Sequence, residues 1–287
     1  MNDATVIRAR PQLRKPPPLT RFRLFTSGLR VLPDFVILGE MRSGTTSLHR
    51  SLREHSQILP PWAKELHYFD RYYSNGSGWY RAHFPMRTAI RWRKLRHGHH
   101  PALTYEATPD YLIYPDAARR LAETVPEAKL IALLRNPVDR AYSHYQFNLR
   151  REGERFPFDK AVKREAKRLE GEREKLLSDV SYRSRKLRRY TYASRGIYVD
   201  NLRAYERYFK REQMLVIKSE DLFAETQETY DEILRFLGLA SARFSQTQPI
   251  NAIPYSHEKP PGYDELSEFF APHNQRLYEY LGRDLGW

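Results

Sequence analysis

The residues best suited to chemistry in this 287-residue chain are anion-binding types placed at the ends of apolar runs. In FVILGEMRSGTTSLHRSL, Arg42, Ser43, Gly44, Thr45, Thr46 and Ser47 follow the apolar run Phe35–Leu38 and precede a helical spacing through Leu48 and Leu52. A strand, a tight turn and a helix start aim backbone N–H groups and the positive end of a helix dipole at one place, where a phosphate group can sit. Gly44 lets the backbone come close, and the Thr45, Thr46 and Ser47 hydroxyls add donors. The spacing from Gly39 to Gly44 fits the Walker P-loop frame, but Thr45 stands where that motif requires lysine, and the nearest cation is Arg42. The plain alternative is an ordinary strand-to-helix turn.

A second stretch, KLIALLRNPVDRAYSHYQF, repeats this grammar: a buried strand over Lys129–Leu134, Arg135 at its carboxyl end, a turn at Asn136-Pro137, and a helix carrying Ser143. Ligands of open α/β sheets gather at the carboxyl ends of strands, so Arg135 and Ser143 can face one anion; the alternative is an arginine in a surface ion pair. A third group, Lys64-Glu65-Leu66-His67-Tyr68-Phe69-Asp70, sets ionisable residues among aromatics. Held against apolar surface, the Glu65 carboxylate would have a raised pKa and serve as a general base; the alternative is a surface loop with its aromatics pinned to the core. The second strand does not end in the acidic residue with which a P-loop NTPase holds magnesium, and the ten histidines show no HExxH spacing, so the pattern suits a reaction that needs no metal.

The elements that must position these groups are strands alternating with helices, which gives an α/β fold: a central parallel sheet flanked by helices on both faces, a P-loop NTPase-like three-layer sandwich. MLVIKSEDL reads as a further strand followed by a helix capped near Ser219 or Asp221, and Ile58-Leu59 as a short strand ended by Pro60 and Pro61. Glu106, at the end of a short strand in LTYEATPDYLIYP, is read as structural or site-lining. Trp79, Tyr80, Phe84 and Trp92 are read as a cleft wall or as helix faces on the core. The charged stretch 150–189 reads as a solvated helix with an arginine-rich loop, or as a lid over an acceptor, and the last helix as Leu266–Leu281. His99 and His100 are expected at the surface. Residues 1–33 read as a basic, Pro-rich N-terminal arm, either a solvated tail or a loosely docked strap, with contact to nucleic acid or a membrane surface as the alternative, and 34–287 as a single domain.

A net charge of +14 points to anionic partners, and nucleic acid, acidic glycan and phosphorylated cofactor all satisfy it. The absence of cysteine excludes disulfides and thiolate metal sites and fits a reducing compartment, and no stretch reads as a signal peptide or membrane span.

Most of the chain after residue 33 resembles the P-loop-related sulfotransferases that use PAPS (3′-phosphoadenylyl sulfate), in particular the heparan-sulfate-type glycan enzymes and their bacterial relatives. GEMRSGTTSL is similar to their 5′-phosphosulfate loop, KELHYFD to their KE-x-HFFD segment and LLRNPVDRAYSHY to their 3′-phosphate motif. The RGIY stretch, the EDL–FLGL pattern and the terminal FF-x-P-x-N…W add order and spacing. The resemblance implies transfer of a sulfuryl group to a hydroxyl or amine acceptor on a carbohydrate, without a metal, leaving adenosine 3′,5′-bisphosphate. It implies that the loop from Arg42 to Ser47 binds the 5′-phosphosulfate, that Arg135 and Ser143 hold the 3′-phosphate, that Tyr198 is a further cofactor-binding residue, and that Glu65 is the base, with Arg42 also catalytic and His67 as the other candidate base. Lys259 falls in a loop that closes over the cofactor in relatives through Lys–Gly–Arg, but the stretch here reads HEKPPG. Arg42 stands where relatives mostly have lysine. The paired late-loop cysteines of the eukaryotic glycan enzymes are absent, which suggests a bacterial or cytosolic, hence cytoplasmic, relative with no nucleic-acid partner. A P-loop kinase or NTPase, and a non-catalytic binder of acidic polymers, are the competing readings.

Overall fold

The computed structural model describes residues 18–96, 98, 100–244 and 259–287. Four strands, β1 (Phe35–Gly39), β2 (Tyr105–Ala107), β3 (Lys129–Leu134) and β4 (Met214–Lys218), form one sheet in the order β2-β1-β3-β4, with every pairing parallel. Parallel strands need crossovers, and these carry helices to both faces. Along β1, Phe35 and Ile37 face one apolar cluster while Val36 and Leu38 face another, and β3 alternates likewise. Phe35–Leu38 of β1 and Leu130–Leu134 of β3 are therefore apolar throughout, because neither face sees water, whereas β2 buries Glu106.

The helices that matter for the site are α1 (Thr45–Glu54), α2 (Arg87–Arg96), α3 (Ala117–Thr124), α4 (Pro137–Arg151), α5 (Tyr198–Glu206), α6 (Thr226–Leu237) and α7 (Tyr263–Leu281). Leu48 and Leu52 of α1 pack with Ile233, Leu234 and Leu237 of α6 on one face. Leu121 of α3, Leu202 of α5 and Leu277 of α7 cover the other. A third cluster joins Val138, Ala141 and Tyr145 of α4 to Phe158, Tyr192 and Phe270, tying the middle of the chain to α7. Helix α4 begins as its residues dictate: the Asn136 side chain accepts from the Val138 and Asp139 amides, and Pro137 supplies the pre-set first turn.

Several expectations change. Ile58 makes only an isolated parallel bridge to Leu103. The helix after β4 starts at Asp221 with Glu220 before it and no side-chain cap. The last helix begins three residues earlier than its apolar spacing predicts, at Tyr263. Trp79 and Tyr80 stack on Tyr68, and Phe84 packs on Tyr80, whereas Trp92 faces solvent. The stretch 150–189 is a series of short helices (Phe158–Lys163, Glu165–Leu169, Glu172–Ser178 and Arg185–Tyr190), and three of its acids, Glu154, Glu165 and Glu172, turn inward while Glu170, Glu174 and Asp179 are exposed. Glu154 takes Arg168 and Tyr192, Glu165 takes the Ala193 and Ser194 amides, and Glu172 takes Tyr182 and Ser184. Of the basic arm, residues 21–29 form a short helix and turn, and Arg30, buried, bonds to Thr26 and the Phe84 carbonyl.

Candidate active site at the strand ends

The loop between β1 and α1 is held open by backbone conformations that few residues adopt. Arg42 has φ 74° and Gly44 φ 87°, both left-handed. A Cβ on Gly44 would lie 3.0 Å from the Phe223 ring, and one on Gly39 would lie 2.7 Å from the Pro109 carbonyl oxygen. Glycine is thus required both by conformation and by close packing of the loop on its neighbours. The Thr45 and Thr46 amides, in the first turn of α1, have no carbonyl four residues back within the helix. Ser43 is buried, with no hydrogen-bond partner for its hydroxyl.

The second strand end closes on this loop. Arg42 Nε donates to Ser143 Oγ at 3.0 Å, its guanidinium lies over the Phe147 ring, and Arg135 reaches the Arg42 carbonyl at 3.5 Å. Arg42, Arg135 and Ser143 therefore meet, as their spacing predicts. Tyr198 is buried and donates its hydroxyl to the Arg135 carbonyl, so it acts on this cluster through the strand-end backbone. Lys259 goes elsewhere: it pairs with Asp264 at the exposed start of α7. His257 and His99 lie outside the described residues.

On the other side of the loop lies the segment from Lys64 to Asp70. It carries two more left-handed non-glycine residues, Glu65 (φ 60°) and His67 (φ 54°), and then a wide helical turn in which the Tyr72 amide bonds to the His67 carbonyl. Such costly backbone persists where the surroundings over-determine it, often at functional sites. Lys64 Nζ donates to Thr46 Oγ1 at 3.2 Å and to Glu65 Oε1 at 2.7 Å, joining the candidate base to the first turn of the phosphate loop helix. The expected raised pKa of Glu65 is not what the site gives. Burial pushes the carboxyl up, but the Lys64 ammonium and then His67 outweigh it, and the net direction is downward. His67 is buried, and its Nδ1 pairs with Asp70 Oδ2 at 2.8 Å.

Behind both segments runs a buried chain of ion pairs. Arg195 donates to Glu40 Oε1 and to Asp110 Oδ1, each at 2.6 Å, and Arg71 donates to Asp110 Oδ2 at 2.5 Å and pairs with Asp70. Glu40 belongs to the loop between β1 and α1, and Asp70 and Arg71 to the end of the Glu65 segment and the residue after it, so the chain of ion pairs fixes one relative to the other. Burial raises the Asp110 carboxyl, but Arg195, Arg71 and His67 together drive it far below the usual range. Ligating atoms of His67, Asp70 and Asp110 lie within 4.8 Å of one another, and the guanidiniums of Arg71 and Arg195 answer their charge. On α4, Arg140 is buried beside the Thr191 and Tyr192 carbonyls, and burial with the nearby Arg140 and Arg195 charges keeps His144 neutral. The reach of Lys64 to Thr46 and the Glu40–Arg195–Asp110–Arg71 chain have no local signal in the sequence: Glu40 and Arg195 are 155 positions apart.

The arrangement can hold an anionic group between two cationic strand ends and present a carboxylate beside it. Similarity to known proteins agrees. The chain is 28% identical over 296 residues to mouse heparan sulfate glucosamine 3-O-sulfotransferase 3B1, covering 95% of this chain and 69% of that one. It is likewise 28% identical over 324 residues to the membrane-associated sulfotransferase kil1 of Dictyostelium discoideum, covering 90% and 67%. Among solved structures, a sulfotransferase from Alicyclobacillus acidocaldarius superposes with a TM-score of 0.63 at 29% identity, over 89% of this chain and 98% of that one. Residues 32–253 match the sulfotransferase domain, and with the strand-end geometry this makes the chain a member of the sulfotransferase family, a transferase.

Proposed function

We propose that this sulfotransferase moves a sulfuryl group from PAPS to a hydroxyl or amine of a carbohydrate acceptor, with Glu65 as the general base. The observation that supports this reading is the Lys64 bridge, 3.2 Å to Thr46 at the start of α1 and 2.7 Å to Glu65, which ties the Glu65 carboxylate to the loop after β1. The donor fits the residues present: the buried Ser43 hydroxyl without a partner, the first-turn amides of α1 and the Arg42–Ser143–Arg135 cluster are donors suited to sulfate and phosphate oxygens.

PAPS supplies the activated sulfuryl group. Glu65 would take the proton from the acceptor O–H or N–H as that atom bonded to sulfur, and the electron pair of the sulfur–oxygen bond that breaks would leave on the 5′-phosphate. Arg42 and the loop amides receive the charge growing on that oxygen and on the sulfonate. With the donor bound, Lys64 would be within reach of a sulfonate oxygen, and loss of its ion pair would remove the Lys64 contribution that holds the Glu65 carboxyl down. Arg135 and Ser143 hold the 3′-phosphate.

A glycan acceptor is supported by the similarity to heparan sulfate enzymes and by the net charge of +14. The test is incubation with sulfur-radiolabelled PAPS and a panel of desulfated heparan fragments, chondroitin and a small phenol, with wild type and Glu65→Gln. Label in a glycan that is lost in the variant is expected. Label confined to the phenol would overturn the acceptor class, and undiminished transfer by Glu65→Gln would remove Glu65 from the base role.

A further inference from the structure

Two segments joined by one β-bridge carry apolar side chains that face water. In the helix and turn over residues 21–29, Phe22 is 63%, Phe25 90% and Leu29 59% exposed; on α2, Trp92 and Leu95 are each 55% exposed. The antiparallel bridge Arg30–Met86 sets the end of the first segment beside the start of α2, and the Val31 amide bonds to the Pro85 carbonyl. Arg23 fastens the short helix to the body through the Ala82 and Phe84 carbonyls. The exposed rings are thus held out on an anchored support.

Helix α2 buries none of its ten residues. A helix in a globular protein ordinarily buries an apolar stripe, so one that leaves Trp92 and Leu95 outside has a face without a partner among the described residues. Its charge is one-sided: Arg87, Arg91, Lys94 and Arg96 are exposed, Arg93 is tied to the Ser56 carbonyl, and no Asp or Glu occurs from 85 to 102 or from 18 to 33. Asp34, which follows the first segment, is engaged by the Thr104 amide.

We propose that this face docks on an anionic lipid surface. A polyanion such as a glycan would meet the arginines, but it offers nothing to Phe22, Phe25 and Leu29. A bilayer interface takes both, placing rings and aliphatic chains at the headgroup boundary and cations against acidic headgroups. The binding is peripheral, since no described helix is long and apolar enough to cross a membrane. The inference is independent of the donor and acceptor chemistry.

The test is co-sedimentation of the full chain with phosphatidylcholine vesicles with and without phosphatidylserine, for wild type, Phe25→Ser/Leu29→Ser and Arg91→Gln/Lys94→Gln. All four substituted side chains lie outside the anion site, and the far-ultraviolet circular dichroism melting temperature of each variant serves as the folding control. Wild type should partition onto the phosphatidylserine vesicles and not onto phosphatidylcholine alone. Each surface cation removed should weaken partition about fivefold, so the arginine–lysine pair roughly 25-fold, and the apolar pair should lose binding as well. Absence of partition, or partition unchanged in both variants, would overturn the proposal. So would variant-sensitive binding to heparin without binding to vesicles, which would make the face a polyanion site.

Discussion

Replacing Arg195 with leucine should break the connection between the phosphate loop and the Glu65 segment, and its cost can be worked from the geometry. The guanidinium is 1% exposed and makes two 2.6 Å contacts, to Glu40 and Asp110, with a third at 2.9 Å to Thr191 Oγ1. Removing one partner of a buried pair leaves an uncompensated charge at a cost of about 3–5 kcal/mol, a large share of an ordinary domain's stability. Urea denaturation at neutral pH reads this directly. The pH dependence gives the sharper test. Asp110 has a folded pKa depressed below its ordinary value of 3.8, so its contribution is present above that value and lost as pH falls through the lower folded one. In Arg195→Leu the carboxyl keeps Arg71 but loses its other guanidinium, and its folded pKa rises. The difference between wild type and variant should therefore be greatest at neutral pH and shrink as the solution is acidified. Asp110→Asn in the same background should recover part of the loss, because it removes one stranded charge. A cost below about 1 kcal/mol, the size of an exposed ion pair, or a cost independent of pH, would refute the buried-network reasoning.

Other substitutions reach the chemistry and the core. Arg42→Ala should lower kcat by about 10²–10³-fold, the size of a lost transition-state donor, and steady-state kinetics with kcat unchanged and only KM raised would assign Arg42 to binding alone. Glu65→Gln should keep bisphosphate affinity and lose about 10²–10⁴-fold in turnover. Gly44→Ala forces a left-handed alanine against Phe223, and a loss of about 1–2 kcal/mol in urea midpoint analysis, together with weaker bisphosphate binding, is expected. Glu106 is fully buried among the Tyr80, Thr108 and Tyr111 hydroxyls, and burial raises its pKa from 4.5 to about 7. A raised carboxyl holds its proton in the folded state, so the Glu106 contribution to stability should be full below pH 4.5 and fall by about 3 kcal/mol towards pH 7; Glu106→Gln should remove that component of the slope, and an unchanged slope would assign it to other groups.

The sheet was legible because its central strands are apolar on both faces, and the strand-end arginines because ligands of such sheets bind there. The loop between β1 and α1 announced itself through Gly39 and Gly44, which the close approach of Pro109 and Phe223 demands. Three acids of 150–189, Glu154, Glu165 and Glu172, were misread for a physical reason: glutamate in a charged run looks solvated until its partners are known. Glu165 takes backbone amides from 193 and 194, and Glu154 takes Arg168 and Tyr192. The Glu65 pKa went astray in the same way. A neighbouring lysine is visible in Lys64-Glu65, but the turn that folds its ammonium back onto the carboxylate is not. The role of Arg195 as a link required contacts 155 and 85 positions away.

The central claim, a donor site for a 3′,5′-bisphosphorylated nucleotide at these strand ends, is tested most directly by thermal-shift titration with adenosine 3′,5′-bisphosphate against ATP–Mg²⁺, on wild type and Arg135→Ala. A ligand that binds only the folded state at a hundred times Kd adds about 2.7 kcal/mol. Stabilisation by the bisphosphate alone, lost in Arg135→Ala, is the expected result. Stabilisation by ATP–Mg²⁺ and not by the bisphosphate would contradict the account and assign the loop to a kinase-like nucleotide.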